Sequence, residues 1–315
     1  MSTEAAAKKS VKPAKKKHHS SGGDILFNII NYTVIILFTL ICAFPFYYLL
    51  INTISDNKLV SSGQITLYPQ GFNLDNYINL TKIQGLGTSF IVSVARTVIG
   101  TALMVISSAL VGYLVTKNEM WGRKFWYRFL IITMYFNVGI IPWYMNMSML
   151  GLTNNFLAYI IPGIISPYNI ILVKTYIESI PAELEESAAM DGAGYFTIFR
   201  RIIFPLCKPI LATIAIFGAV GHWNSFTDSL ILMSGKPELQ TLQHKLYTYL
   251  NESTNLAAMI GQGSSDIGDL MGSSSMNMRA IKFTVAMATV IPILIVYPFM
   301  SKYFEKGIML GAVKG

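Results

Sequence analysis

PAELEESAAMDGAG, at residues 181–194, lies between long apolar blocks. Pro181 suits the first turn of a helix, and the three glutamates behind it complement the positive end of the helix dipole. Small residues come next, so a partner surface can approach the backbone closely. Gly192 and Gly194 permit a sharp bend. The stretch predicts a bent pair of short helices that leads into the next apolar block. Composition alone would also fit an ordinary amphipathic connector.

The blocks around this stretch predict membrane spans. Hydrophobic residues make up 53% of the chain and charged residues 13%, against about 25% charged in an average soluble domain. A bilayer core about 30 Å thick needs roughly 20 apolar residues per helix, and the blocks reach that length repeatedly. The predicted fold class is an all-α membrane protein with six transmembrane helices and cytoplasmic coupling helices at residues 181–200. The predicted spans are residues 25–51, 89–116, 126–147, 155–177, 202–223 and 281–301.

The lysines and arginines predict the orientation. They are concentrated at residues 1–24, 117–128, 174–208 and 302–315, and short cytoplasmic segments carry an excess of these residues. Both termini are therefore predicted on the cytoplasmic side of the cell membrane. Residues 1–24 are predicted to be a disordered basic tail that contacts anionic membrane lipid and not nucleic acid. Residues 302–315 are predicted to be a C-terminal tail.

Active sites of the common types are missing from the sequence. The histidines lack metal-ligand spacing, and Gly235-Lys236 is followed by Pro237, so no phosphate-binding loop is present. No catalytic residue, metal site or cofactor is predicted in this chain, which is not expected to be an enzyme. If it works in ATP-driven transport, the ATPase is another chain. Ion-coupled carriers usually place acids or bases at mid-membrane. Apart from basic residues toward their ends, the predicted spans hold only Arg96, which disfavours that alternative.

The spacing around residue 186 resembles the EAA signature of ABC importer permeases. That signature is Glu-Ala-Ala, three residues, Gly, nine residues, Ile, one residue and Leu-Pro. Five residues match it: Glu186, Ala188, Gly192, Ile202 and Pro205. Ser187 replaces an alanine and Phe204 replaces the leucine, and both changes are mild in size or polarity. The resemblance runs from about the second span to the C-terminus. It is greatest to the sugar-importer (MalG-like) branch that handles complex oligosaccharides, through residues 180–186, 219–224, 303–307 and 311–315.

The resemblance implies a transport role and a set of partners. The expected function is that of a permease subunit that moves carbohydrate, an oligosaccharide, across the cell membrane. The implied partners are a second homologous permease, an ATPase dimer that binds ATP and Mg, and an extracellular solute-binding protein. The implied ATPase-docking residues are Glu186, Ser187, Ala188, Asp191 and Gly192. Lys314 and Gly315 are implied to contact the ATPase from the C-terminal tail.

Polar and aromatic residues inside the spans are candidates for contacts with the solute. Aromatic faces stack on sugar rings and amides bond to hydroxyls, although many such residues instead serve interface belts or helix packing. Arg96 is a candidate for binding an acidic sugar. Two alternatives stay open, an ABC permease for a non-sugar solute and an ion-coupled secondary carrier. The candidate pathway residues are Arg96, Tyr135, Asn137, Trp143, Asn169, Trp223 and Asn224.

Overall fold

The fold of the chain is helical in every regular element that the structure describes. The structure is a computed structural model that describes residues 22–82, 85–261 and 278–312. Within these ranges the regular elements are helices and no strand occurs, which confirms the all-α prediction. The chain divides into two compact units, Met1–Tyr48 and Leu49–Gly315.

The described part of the first unit is a single apolar helix. Helix α1 (Gly22–Thr53) carries large hydrophobic side chains on all sides, and most of them are exposed, as Phe27 and Phe38 are. A helix that is apolar all round suits a lipid surrounding. The helix ends inside the second unit, where Ile51 and Thr53 are buried.

The second unit contains the remaining helices. They are α2 (Asn57–Ser61), α3 (Asp75–Lys82), α4 (Leu86–Leu114), α5 (Arg123–Tyr135), α6 (Ile140–Met149), α7 (Pro167–Ile177), α8 (Glu183–Met190), α9 (Tyr195–Ile198), α10 (Phe204–Leu206), α11 (Lys208–Asn224), α12 (Thr227–Leu232), α13 (Leu242–Gly261) and α14 (Met278–Ala312). Three 3-10 turns lie at Phe156–Tyr159, Ile161–Gly163 and Pro237–Leu239, and a π-helical turn joins α9 to α10. The predicted tail from residue 302 thus continues as helix to Ala312.

Helix α4 is the centre of this unit and packs against α7 and α11. Glycines set the spacing: a Cβ on Gly100 would lie 2.6 Å from the His222 ring, and one on Gly218 would lie 2.5 Å from Met104. Small residues let helix backbones approach closely in a membrane, where lipid removes most of the hydrophobic driving force. Gly100 precedes Met104 on α4, and Gly218 precedes His222 on α11. The two helices therefore run antiparallel.

The antiparallel pair gives the unit two chemically different ends. At one end, called the α8 end, Tyr113 of α4 lies in a buried cluster with Phe199 and Ile210. At the other, called the α13 end, Leu86 of α4 packs with Trp223 and Leu242. The two ends hold the two groups of residues that concern function.

Breaks interrupt the apolar segments. Among the described residues, two helices, α1 and α4, are long and apolar enough to cross a membrane, and the number rises to four if each of two bent pairs counts as one span. One pair bends by 42° between Gly163 and Pro167, and the other by 77° at residue 207, close to Pro205 and Pro209. Proline removes a helical N–H and disfavours helix in the residue before it. A total of six spans is not established by these lengths.

Predicted span 126–147 is also divided. Helix α5 ends at Tyr135 and α6 begins at Ile140, with Gly139 between them at φ +78°. Hydropathy had indicated one apolar stretch here, since it reports the length of apolar sequence and not the direction of the chain. The predicted span 202–223 likewise contains the 77° bend, so its straight part begins at Lys208.

Two glycines of α4 provide a test of this packing. We expect Gly100→Ala to destabilise the protein by about 1–3 kcal/mol, because the new methyl group overlaps the His222 ring. Gly87→Ala, on the same helix with nothing within 4 Å of its added Cβ, should be neutral or slightly stabilising because alanine favours helix. Thermal unfolding of the purified protein in detergent measures both. Equal unfolding temperatures for the two variants would contradict the close packing.

Candidate functional site

Helix α8 presents most of the predicted docking residues to solvent. Glu183, Glu185 and Glu186 lie in its first turn. Glu186, Ser187, Asp191 and Gly192 are exposed, and Met190 is 89% exposed. A short acidic helix with an exposed methionine can offer both charge and an adaptable apolar contact to a protein partner.

A left-handed glycine ends α8. Gly192 has φ +84°, a conformation that strongly favours glycine. Its N–H donates to the carbonyl of Ala189, and the N–H of Ala193 donates to the carbonyl of Ala188, both at 3.0 Å. This pair of hydrogen bonds is the Schellman motif, which satisfies the last carbonyls of a helix. The chain therefore turns sharply at Gly192.

The opposite side of α8 rests on the spanning helices. Ala188 and Ala193 pack against the buried cluster that contains Tyr113, Ile177 and Phe199. After the turn, α9 and the π-helical turn lead to α10, and the 77° bend follows before α11. Of the predicted docking residues, Ala188 is therefore partly an internal packing residue. The backbone from α8 to α11 thus passes through α9, the π-helical turn and α10.

Lysine side chains add contacts at the α8 end that sequence reasoning missed. Lys117, just after α4, forms an ion pair with Glu185 of α8, and its Nζ lies 4.4 Å from the centroid of the Tyr113 ring. Lys174 pairs with Glu178 at 2.8 Å and lies 4.5 Å from the Tyr127 ring centroid. From the distribution of basic residues, the sequence predicts only that both lysines lie on the cytoplasmic side, not which residues they contact. No local pattern links Lys117 to a residue 68 positions away.

Arg96 lies at the α13 end in a buried ion pair. Its guanidinium donates to both carboxylate oxygens of Asp228, at 3.2 and 2.5 Å, and to the carbonyl of Ser225 at 3.1 Å. It also lies 4.5 Å from the centroid of the Tyr159 ring, whose hydroxyl donates to the carbonyl of Leu239 at 2.7 Å. The side chains of Arg96 and Asp228 are 3% and 17% exposed. Arg96 was the candidate for binding an acidic sugar, and in this structure its positive charge is paired with Asp228.

A second set of hydrogen bonds extends this buried polar region. Ser229 Oγ lies 2.9 Å from His244 Nδ1 and accepts from the N–H of Thr241 at 3.1 Å. Ser93 Oγ, on α4, accepts from the N–H of Leu242 at 2.8 Å. Burial lowers the pKa of His244, and the nearby charge of Lys245 lowers it further, so the neutral imidazole is favoured. These contacts join α4, α12 and the start of α13.

The other predicted pathway residues occupy several different surroundings. Asn169 donates to the sulfur of Met104 at 3.2 Å, and Trp223 Nε1 donates to the carbonyl of Thr289 at 3.0 Å. Asn224 accepts from Gln243 at 3.2 Å. The structure assigns Asn169 and Trp223 internal partners and leaves Asn224 exposed.

Three further candidates lie on or near α5 and α6. Tyr135 is exposed, and Asn137 accepts from the N–H of Gly139 at 2.9 Å in the break between the helices. Trp143 packs beside the buried cluster that includes Tyr159. The groove between α4 and α11, in the described part of the chain, is lined by none of the seven candidates. Lys314 and Gly315 lie outside the described residues, as do residues 1–21 of the predicted basic tail.

Comparisons with known proteins match nearly the whole chain. The family of binding-protein-dependent transport system inner membrane components matches residues 17–310. The polygalacturonan/rhamnogalacturonan transport system permease protein YtcP of Bacillus subtilis (strain 168) is 33% identical, over 92% of this chain and 99% of YtcP. The arabinooligosaccharides transport system permease protein AraQ of Halalkalibacterium halodurans is 28% identical, over 87% of this chain and 92% of AraQ.

A solved structure shows the same fold. It is a crystal structure of a bacterial ABC transporter involved in the import of the acidic polysaccharide alginate. One of its chains superposes with a TM-score of 0.80 and 28% identity, over 90% of this chain and 99% of that chain. The similarity extends well beyond the residues around Glu186. The predicted resemblance to ABC importer permeases of the sugar branch is confirmed.

The Arg96–Asp228 pair leads to a stability prediction. Asp228→Ala leaves a buried guanidinium without its counter-charge and should cost about 3–5 kcal/mol. The double change Arg96→Met with Asp228→Leu removes both charges and should cost much less. Glu178→Ala breaks a more exposed pair and should cost about 0.5 kcal/mol. Unfolding temperatures in detergent rank the three variants. A loss in Asp228→Ala no greater than in Glu178→Ala would exclude a structural role for the pair.

Proposed function

This chain belongs to the family of binding-protein-dependent transport system inner membrane components, and from that premise we propose that it forms half of an importer's path for oligosaccharides. The observation that carries the proposal is the 33% identity to YtcP over 92% of this chain and 99% of YtcP. The names of YtcP, AraQ and the alginate transporter all specify carbohydrate polymers or their fragments. The solute proposed for this chain is of the same class.

The proposed topology has six crossings with both termini in the cytoplasm. Lys117, Arg123, Arg200 and Lys208 lie at the α8 end or in the chain next to it. Lysine and arginine are retained on the cytoplasmic side, which supports an inward-facing α8. The α13 end then faces outward, where a solute-binding protein delivers its cargo.

The proposed mechanism uses a separate ATPase as the motor. ATP and Mg are bound by an ATPase dimer, and α8 docks on it through Glu186, Ser187, Ala188, Asp191 and Gly192. Closure of the ATPases moves α8, and the continuous backbone through α9 and α10 transfers that motion to α11. The path then switches from inward-facing to outward-facing. The exposed acidic surface of α8 and its firm C-terminal turn support this role. Lys314 and Gly315 are proposed as additional contacts from the tail.

A second permease chain is proposed to complete the path. A groove of about 620 Å³ lies between α4 and α11, and most of its lining side chains are small, as Thr97, Ala102, Ala215 and Ala219 are. Small side chains on spanning helices favour close packing with another helix. The surface is therefore suited to a helical neighbour within the membrane.

The function is tested by uptake into liposomes. The chain is purified with the ATPase and the second permease that accompany it, and the solute-binding protein is added. We expect uptake of pectin-derived or arabinose-containing oligosaccharides that requires ATP and stops without the binding protein. A labelled oligopeptide serves as the control solute. Uptake of the peptide in preference to the sugars would reject the carbohydrate proposal. Uptake driven by an ion gradient, by this chain alone, would reject the ATP-driven proposal.

The docking role of α8 is tested by one substitution at its C-terminal turn and one on its exposed face. Gly192→Pro cannot adopt φ +84°, and Glu186→Lys reverses a charge on the exposed face. Both variants should insert normally, yet solute moved per ATP hydrolysed should fall by about tenfold or more. Gly194→Ala is the matched control, because Gly194 has φ −70° and nothing lies within 4 Å of an added Cβ. Coupled transport at the normal ratio in Gly192→Pro and Glu186→Lys would remove α8 from the docking role.

A further inference from the structure

A half-buried cation joins α8 to α4. Lys117 follows α4 by three residues, and its ammonium group contacts the carboxylate of Glu185 on α8 and the face of the Tyr113 ring. The Lys117 and Glu185 side chains are 18% and 21% exposed. An ion pair so shielded from water is stronger than one at an open surface. These three residues are called the Lys117 bridge.

The turn that carries Lys117 is held in place. The backbone N–H of Lys117 donates to the carbonyl of Leu114 at 3.0 Å. Arg123 Nε donates to the carbonyl of Val115 at 2.9 Å, and its guanidinium also donates to Asn118. The turn after α4 is thereby tied to the start of α5. These hydrogen bonds hold the backbone at Lys117 close to the end of α4.

The aromatic part of the bridge reaches the buried core. The Tyr113 ring packs against Phe199 with centroids 5.3 Å apart, and Phe199 lies in the π-helical turn between α8 and α11. Tyr113 itself is a buried residue of α4. The bridge thus links α8 with α4, while the backbone links α8 with α11. Helices α4 and α11 are the antiparallel pair at the centre of the unit.

We propose that Lys117 is a positioning residue that makes α4 move together with α11 when the ATPase displaces α8. The inference rests on the proposed docking of α8. Without the Lys117 bridge, a displacement of α8 would reach α11 through the backbone, and α4 would move only through its side-chain packing against α11. With the bridge intact, both helices receive the displacement at the same end, so their packing is preserved while the path opens. Glu186, Ser187 and Asp191 are exposed and the Lys117 contacts are with Glu185 and Tyr113, so we expect docking to persist when Lys117 is replaced.

A second lysine offers a matched control. Lys174 has the same chemistry: it pairs with Glu178 at 2.8 Å and lies over the Tyr127 ring at 4.5 Å. Its carboxylate partner is the residue that caps α7, four positions along. The Lys174 contacts therefore join α7 to α5 and do not reach α8. A comparison of Lys174 with Lys117 variants therefore separates the effect of losing a lysine and its cation–π contact from the effect of losing the connection to α8.

The test uses the complete transport complex in liposomes. For each variant, ATP hydrolysis and solute uptake are measured together, along with the amount of ATPase that co-purifies. Lys117→Ala should retain ATPase binding and hydrolysis but lower solute moved per ATP by about fivefold or more. Lys117→Arg, which keeps the charge, should recover most of that loss. The double change Lys117→Glu with Glu185→Lys should move more solute per ATP than either Lys117→Glu or Glu185→Lys alone. Lys174→Ala should behave as the unchanged protein.

Each outcome bears on the proposal. A normal transport ratio in Lys117→Ala, or an equal loss in Lys174→Ala, would overturn it. If Lys117→Ala fails to assemble, Glu185→Gln takes its place, since it keeps the side-chain size and removes only the charge; a normal ratio there overturns the proposal as well. Failure of the underlying function looks different. In that case the unchanged complex shows no ATP-dependent uptake or holds no ATPase at all.

Discussion

Where α4 crosses α11, two glycines leave room for side chains from the opposite helix: Gly100 faces the His222 ring and Gly218 faces Met104. In a bilayer, apolar side chains gain little from leaving lipid, so helix association depends on close backbone approach and on polar contacts. The crossing keeps the two helices antiparallel and in register. The crossing also defines the α8 end and the α13 end, because they are the two ends of this pair.

The two ends have different chemistry, and the difference suits transport. At the α13 end, a chain of hydrogen bonds connects Arg96, Asp228, Ser229 and His244 in a largely buried network, which resists separation because unpaired charges are costly there. At the α8 end, the acidic face of α8 is exposed, and a few small residues and the Lys117 bridge attach it. The buried network at the α13 end is therefore harder to separate than the exposed face of α8.

Local chemistry explains which predictions could be made from sequence. The turn at Gly192 depends on a few adjacent residues, and the structure has the positive φ there that glycine permits. The positions of breaks and bends within the spans were harder to predict from sequence, because hydropathy sums apolar residues without regard to chain direction. It gave one stretch at residues 126–147, where the structure has α5 and α6 with Gly139 between them. It also gave a stretch from residue 202 that contains a 77° bend.

By itself, the sequence determined that the chain is helical and resides in a membrane, and the spacing from Glu186 to Pro205 determined its resemblance to importer permeases. Both properties follow from composition and from residues near one another in the chain. Only the tertiary structure decided that Arg96 pairs with Asp228, 132 positions away, and that Lys117 reaches Glu185. Ion pairs depend on the distance between atoms after packing. Neither a periodicity nor a motif records that distance, so the fold had to bring the partners together.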